Sequence, residues 1–222
     1  MTTVLLAGAS GDLGSRTTRA LVAKGADVRA LTRPGAGPDK TAALAELGAV
    51  VVEAGYDDPA SLRRACEGAD VVVSTISGVR DVIVGAQTAL LDAAVTAGVP
   101  RFVPSDYSAD YRRVAPGSNR NFEMRRDFAR VLDRAPIRAT SVLIGAFADM
   151  LTGQAPLVLP KQGRVLYWHD ADQLLDFTTK DDTAAYTADV ALDDAAPRYL
   201  DCLLYTSPSP RDRTRSRMPS SA

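Results

Sequence analysis

Short apolar runs alternate with longer amphipathic stretches along most of the 222-residue chain. The runs are continuously apolar, which is typical of strands buried on both faces of a parallel sheet. Six of them predict strands, at residues 3–7, 27–32, 50–54, 71–75, 101–104 and 137–143. The stretches between them predict helices that begin near Asp12, Ala42, Asp58 and Gly85. This alternation of strand and helix indicates an α/β fold with a doubly wound parallel sheet.

Three evenly spaced glycines, Gly8, Gly11 and Gly14, follow the first predicted strand. A glycine turn between a strand and a helix N-terminus suits a dinucleotide pyrophosphate, because bare backbone can approach the phosphates and the helix offers unpaired N–H groups. The spacing is G-x-x-G-x-x-G rather than the usual G-x-G-x-x-G. The inference of a nucleotide site therefore depends on the position of these glycines directly after a strand. We predict a Rossmann-type domain over residues 1–150, with cofactor contacts from Gly8, Ser10, Gly11, Asp12, Leu13 and Gly14.

The second predicted strand ends in Thr32-Arg33-Pro34-Gly35, with a cation and no acid. Folds that prefer NAD(H) usually place Asp or Glu here to accept from the ribose 2′-OH. Arg33 suits a 2′-phosphate instead, through charge-assisted hydrogen bonds. A solvated loop arginine is the alternative, but the glycine turn upstream favours NADP(H) over NAD(H).

Polar residues also follow the fourth and fifth predicted strands. Ligands of doubly wound sheets lie at the carboxyl ends of the strands, where the strand order reverses. This rule brings Thr75, Ile76 and Ser77 to the glycine turn as further cofactor contacts, and it brings Ser105 and Tyr107 to the same crevice.

Composition and charge exclude several other classes of protein. The net charge is −1, and residues 202–222 carry four arginines against one aspartate, so the body of the chain is acidic and a poor nucleic-acid surface. One histidine and two cysteines exclude a multi-histidine metal site and a disulfide framework, and we expect no metal. We expect a cytoplasmic protein with no membrane contact, because neither a spanning apolar run nor a signal segment is present.

The order of several segments resembles one family. GASGDLG, LTRPG, DDPASLRRACEGADVVVSTISG and RFVPSDYSAD, followed by DFTTKDDTAAYTADVALDD at residues 176–194, look like the NmrA-like branch of atypical short-chain dehydrogenases. Plant isoflavone and benzylic-ether reductases belong to this branch. The resemblance covers about residues 1–201 and implies an NADP(H)-dependent oxidoreductase with a small-molecule substrate.

Reductases of this family carry an active-site lysine in a Phe-x-x-Lys pattern, and the matching position here is Arg125, after Phe122. In the Tyr-x-x-x-Lys pattern of ordinary short-chain dehydrogenases, the matching pair is Asn121 and Arg125. A guanidinium stays charged and cannot act as a general base, although it can hold an oxygen. Arg125, Ser105 and Tyr107 are the candidate catalytic residues, and a surface role for Arg125 is the alternative.

The part of the chain beyond the fifth strand should build the substrate side. Residues 107–121 form a polar loop suited to be a lid. The resemblance implies that the segment after strand six lines the substrate pocket, with candidate walls at Gly145, Phe147, Met150 and Leu151. Phe147 and Met150 are equally good core residues. Residues 164–168 predict a strand, and Asp181 or Asp182 is the expected N-cap of a last helix. His169 lies in a polar turn and receives no role.

The last residues differ sharply in character. Residues 151–201 should form a partial substrate lobe, whereas residues 202–222 are rich in Ser, Pro and Arg and predict disorder. They resemble a translated adapter read-through, so we expect a family member that is truncated at its C-terminus and carries an artefactual tail.

Two functions therefore stay open. One is an NADPH-dependent reductase of small carbonyl or unsaturated compounds, favoured by the loop after strand five and the pocket-like segment. The other is a non-catalytic NADP(H) sensor that reports to a protein partner, favoured by the missing lysine.

Overall fold

A six-stranded parallel sheet forms the centre of the protein. The computed structural model describes residues 1–153, 157–166 and 175–203. The sheet strands are β1 (Thr3–Ala7), β2 (Asp27–Thr32), β3 (Val50–Glu53), β4 (Val71–Ser74), β5 (Arg101–Val103) and β6 (Arg138–Ala139). Their order is β3-β2-β1-β4-β5-β6, so the order reverses between β1 and β4. Val4 of β1 is paired with Val28 on one side and Val71 on the other, and the crevice opens beyond the carboxyl ends of these strands.

Helices cover both faces of this sheet. They are α1 (Asp12–Ala23), α2 (Pro38–Glu46), α3 (Pro59–Cys66), α4 (Gln87–Thr96), α5 (Arg120–Leu132) and α6 (Lys180–Leu192). A π-helix over Asp81–Ala86 leads directly into α4, and 3₁₀ turns occupy Tyr111–Arg113, Ala148–Leu151 and Pro160–Gln162.

Six short strands lie outside the central sheet. They are β7 (Ser141–Leu143), β8 (Ala146–Phe147), β9 (Val158–Leu159), β10 (Arg164–Val165), β11 (Phe177–Thr178) and β12 (Tyr199–Asp201). β7 pairs with β12 and β8 with β11, both in parallel, while β9 and β10 are antiparallel. These pairs extend the protein on the side of β6.

The residues of β1 divide the core between the two faces. Val4 and Leu6 pack in one cluster with Leu21 of α1 and Ala188 of α6, whereas Leu5 packs in the other with residues of α3, α4 and α5. Val4, Leu5 and Leu6 are fully buried, as the continuous apolar run predicts. Because α6 shares a core cluster with β1, residues 180–192 pack against the central sheet.

Three predicted boundaries are wrong for local reasons. The sixth strand is broken at Thr140, because β6 pairs with β5 while β7 leaves the sheet to pair with β12. The helix expected from Gly85 starts earlier, as the π-helix at Asp81. The N-cap of α6 is Thr179, whose side-chain oxygen accepts the Asp182 N–H at 3.1 Å, and not Asp181 or Asp182.

The C-terminal boundary also differs from the prediction at residue 202. Cys202 is buried, its N–H donates to the Leu143 carbonyl at 2.7 Å, and its carbonyl accepts the Thr178 hydroxyl at 2.6 Å. Cys202 therefore belongs to the fold. The prediction of a disordered tail otherwise falls on residues 204–222, and His169 and the end of the 164–168 strand are likewise outside the described residues.

Replacing Thr178 with valine should destabilise the protein, because the Thr178 side chain is fully buried and its hydroxyl contacts the carbonyls of Ile144 and Cys202. We expect the free energy of unfolding, measured by urea denaturation, to fall by about 1–3 kcal/mol. Thr96→Val is the control, since the Thr96 hydroxyl bonds the Asp92 carbonyl on an exposed helix surface. Equal losses in the two variants would contradict a structural role for residues 178–202.

Candidate functional site

The glycine turn fixes the approach of α1 to β1 and β4. Gly8 has φ +78°, and a Cβ there would lie 2.8 Å from the Thr75 carbonyl carbon. A Cβ on Gly14 would lie only 2.1 Å from the Gly8 carbonyl oxygen. Two of the three glycines are therefore required for the packing of the turn itself.

The third glycine leaves the start of α1 open. Gly11 is the N-cap residue and has no side chain with which to cap the first-turn amides, which have no partner within the helix. Ser10, Gly11 and Asp12 are exposed, whereas the Leu13 side chain packs against the core. The exposed N-terminus of α1 can thus offer N–H groups and a positive dipole end to an anion.

The end of β4 lies directly beside this turn. Both the N–H and the hydroxyl of Thr75 donate to the Ala7 carbonyl at 2.9 Å. Ile76 is buried and Ser77 is exposed. The structure therefore brings Thr75, Ile76 and Ser77 to the glycine turn, as the strand-end rule predicts.

Ser105 connects the end of β5 to the end of β4 and to the start of α4. Its hydroxyl donates to the Ile76 carbonyl at 2.7 Å, and its N–H donates to the Gln87 side-chain oxygen at 2.7 Å. Gln87 is fully buried and also donates to the Ile83 carbonyl of the π-helix at 3.0 Å. Ser105 is itself buried with its hydroxyl donating to a backbone carbonyl, and its contact with a substrate stays a prediction.

Tyr107 is buried in the structure, whereas the strand-end rule predicts it at the crevice. Its side chain is buried in the core cluster that contains α6 residues, and burial raises the pKa of its hydroxyl. Tyr107 is 7% exposed, and a contact between its hydroxyl and a substrate stays a prediction. The expected lid also starts with buried residues, since Tyr111 is 1% exposed.

Arg33 lies at the carboxyl end of β2, next to the end of β1, and its side chain is exposed. Burial raises the pKa of the nearby Tyr56 hydroxyl to about 12, and the positive charge of Arg33 opposes that rise. An exposed guanidinium at this edge of the crevice is available to a phosphate.

Arg125 is half-buried on α5, where its Nη1 donates to the Asn121 carbonyl at 3.1 Å. Among the described residues, its Nε is buried without a hydrogen-bond partner. Burial lowers the pKa of Arg125, and the charge of Asp106 opposes that shift. A guanidinium still remains charged at neutral pH, so the group is a fixed cation.

Asp106, which the sequence interpretation passed over, is 1% exposed between Ser105 and Tyr107. Its Oδ2 accepts the hydroxyls of Ser141 at 2.6 Å and Tyr111 at 3.1 Å. Burial raises the pKa of Asp106, and the hydroxyl of Ser141 and the charge of Arg125 oppose this. The sequence signal that could have identified Asp106 is its carboxylate in the loop predicted after strand five.

The four expected pocket-wall residues differ in their packing and exposure. Gly145 has φ +71°, and a Cβ there would lie 2.2 Å from the Asp176 carbonyl oxygen where β8 meets β11. Phe147 packs against the core, while Met150 is 46% exposed. Leu151 is half-buried in the 3₁₀ turn. Lys180, a second residue that the sequence interpretation assigned no role, places its ammonium 5.7 Å from the centre of the Phe147 ring.

Comparison with known proteins agrees with this geometry. The model of the NmrA-like family matches residues 1–203. The chain belongs to the NmrA-like family. Pinoresinol reductase 1 from Arabidopsis thaliana is 33% identical over 201 residues, which cover 84% of this chain and 63% of the relative. The bifunctional pinoresinol-lariciresinol reductase of Linum album is 36% identical, over 92% of this chain and 66% of the relative.

This member of the NmrA-like family also resembles solved structures. That of AtPrR2 with NADP+ and (+)pinoresinol has a TM-score of 0.77 at 30% identity and covers 90% of this chain and 69% of that one. The chain thus spans about two thirds of the length of the relatives that it matches. The expected fold and family are confirmed.

Two further searches of the described residues gave negative results. No group of three or more His, Cys, Asp or Glu side chains in this part of the chain is placed to hold a metal ion. None of the helices described above is long and apolar enough to cross a membrane.

The glycine turn leads to a prediction about stability. Gly14→Ala forces a Cβ against the Gly8 carbonyl oxygen, so we expect a loss of about 1–3 kcal/mol in the free energy of unfolding. Gly11→Ala is the matched change, because its Cβ would meet only that same oxygen, at 3.3 Å. It should cost less than about 1 kcal/mol. Thermal and urea unfolding compare the two, and a Gly14 variant as stable as the wild type would contradict the packing role.

Proposed function

We propose that this protein is an NADP(H)-binding oxidoreductase that transfers a hydride between the cofactor and a small carbonyl or unsaturated compound. The observation that carries the proposal is the convergence of the glycine turn, Arg33 and Thr75–Ser77 at one edge of the sheet, where strand order reverses. The relative named pinoresinol reductase 1 and the solved structure of AtPrR2 with NADP+ and (+)pinoresinol support the same conclusion.

The cofactor would be held by this chain's own groups. The first-turn amides of α1 would bind the pyrophosphate, because Gly11 leaves them uncapped. Arg33 would bind the 2′-phosphate, and Ser10, Thr75, Ile76 and Ser77 would line the rest of the cofactor path. The nicotinamide supplies the hydride when bound, so the protein needs only to orient the reactants and stabilise charge.

Arg125 is the proposed group for the substrate oxygen. It is a permanent cation on α5, and its Nε is without a hydrogen-bond partner among the described residues. A guanidinium can stabilise negative charge developing on a carbonyl or phenolic oxygen, but the proton must come from another donor. The matched relatives are named as reductases, and this favours the enzyme over the sensor that the missing lysine suggested.

We also infer that the protein acts in the cytoplasm on a small molecule, without a nucleic-acid partner. Cys66 and Cys202 are both free and buried, which fits a reducing compartment.

Arg33→Ala tests the cofactor preference. Loss of the phosphate contact should weaken NADPH binding by about 1.5–3 kcal/mol and leave NADH binding nearly unchanged. Fluorescence titration of both cofactors gives the two dissociation constants. The exposed Arg19→Ala on α1 is the control. Equal NADPH and NADH affinities in the wild type, or equal losses in the variant, would remove the 2′-phosphate assignment.

Arg125→Ala tests the proposed chemistry. We expect kcat/KM to fall by about 100-fold or more, as for loss of one oxyanion donor, with NADPH affinity nearly unchanged. Arg125→Lys should keep part of the activity and add a pH dependence, because lysine can titrate. NADPH oxidation is followed against quinones, aldehydes, aryl enones and pinoresinol. Undiminished turnover by Arg125→Ala would exclude this residue, and tight NADPH binding without turnover of any substrate would favour the sensor.

A further inference from the structure

Asp12 places a carboxylate at the first position of α1, directly after Gly11. An acid in this position is favourable for the helix alone, because it complements the positive end of the dipole. It is unfavourable for a pyrophosphate that binds to the same amides, because the charges repel. A cofactor turn with this residue therefore needs a compensating positive charge.

The structure supplies two cations to this carboxylate. The Lys180 ammonium lies 2.8 Å from Asp12 Oδ2, and Arg16 Nε lies 2.7 Å from Oδ1. Hydrogen bonds from Lys180 first and Arg16 second lower the pKa of Asp12, so the carboxylate stays ionised. Arg16 is also engaged by Asp181, with Nη1 2.5 Å from its Oδ1.

Lys180 joins three parts of the fold. It is the first residue of α6, and its ammonium also contacts Asp149 Oδ2 at 2.5 Å and lies over the Phe147 ring. Its own pKa is raised, mainly by the hydrogen bonds to Asp12 and then Asp149, so it remains protonated at neutral pH. The result is a fixed positive charge where the glycine turn, the start of α6 and the 3₁₀ turn Ala148–Leu151 meet.

We infer that Lys180 is a positioning residue for the cofactor: it neutralises Asp12 and so keeps the N-terminus of α1 attractive to a diphosphate. This inference rests on the proposed function and names the residue, distant in sequence, that makes the glycine turn competent. The local cluster contains two cations, Lys180 and Arg16, and three carboxylates, Asp12, Asp149 and Asp181. Removing Lys180 leaves three negative charges against one positive charge, beside a ligand that is itself negative.

This charge balance separates binding from folding. Lys180 is 26% exposed and Asp12 53% exposed, and partly exposed pairs of this kind contribute little to stability. The effect of these charges on an anion bound at the start of α1 is larger at low ionic strength, where screening is weak. A structural role and an electrostatic role can therefore be told apart by salt and by charge compensation.

The test measures NADPH affinity by fluorescence titration. Lys180→Met should raise the dissociation constant about five- to tenfold at low salt, and the difference should shrink near 1 M salt. Asp12→Asn in the Lys180→Met background should restore most of the affinity, and Lys180→Arg should retain it. Asp12→Asn alone should bind at least as tightly as wild type, because it removes a negative charge from the start of α1 and leaves Lys180 paired with Asp149 alone.

Lys24→Met is the matched control, since Lys24 pairs with Asp189 at 2.6 Å and joins the same two helices, α1 and α6. It should leave NADPH affinity unchanged. The inference is overturned if Lys180→Met binds like wild type, if Asp12→Asn fails to compensate, or if Lys24→Met loses as much affinity. It is also overturned if Asp12→Asn alone weakens binding, an arm that holds even if Lys180→Met does not fold. Absence of NADPH binding by wild type would instead reject the proposed function.

Discussion

The close contact between Gly14 and the Gly8 carbonyl governs the rest of the site. It requires a residue without a Cβ at position 14 of α1, and it brings the N-terminus of α1 close to the carboxyl ends of β1 and β4. The uncapped amides, the ends of β2 and β4 and the start of α6 all take their places around this contact. A bulkier residue at position 14 would move the helix, and the alignment of these groups would be lost with it.

Much of the fold could be predicted because β1, β2, β4 and β5 are largely buried and the helices between the strands have clear stops. The ends of β1 and β2 follow directly from the apolar runs. The break at Thr140 was not predictable, because the partner of β7 is β12, far along the chain. The N-cap of α6 was misjudged because Thr179 and the two following acids are equally plausible caps.

The candidate site was predictable to the same extent. Strand ends can be read locally, so the glycine turn, Arg33 and Thr75–Ser77 were found together. The directions of the side chains after β5 could not be predicted, because they depend on packing against α6 and β7, which lie later in the chain. For that reason Tyr107 was expected in the crevice, whereas the buried Asp106 and the distant Lys180 were assigned no role.

Gln87 fixes the position of the loop that follows β5. One amide side chain spans from the π-helix to the end of β5, accepting from one backbone group and donating to another, and Ser105 carries the connection on to β4. The distance between the π-helix and the end of β5 is therefore set by the length of a single glutamine. Asparagine would be one methylene too short to reach both groups. A glutamate would bring an acceptor, and a charge, to the Ile83 carbonyl. The placement of Ser105 beside the end of β4 thus depends on one buried amide.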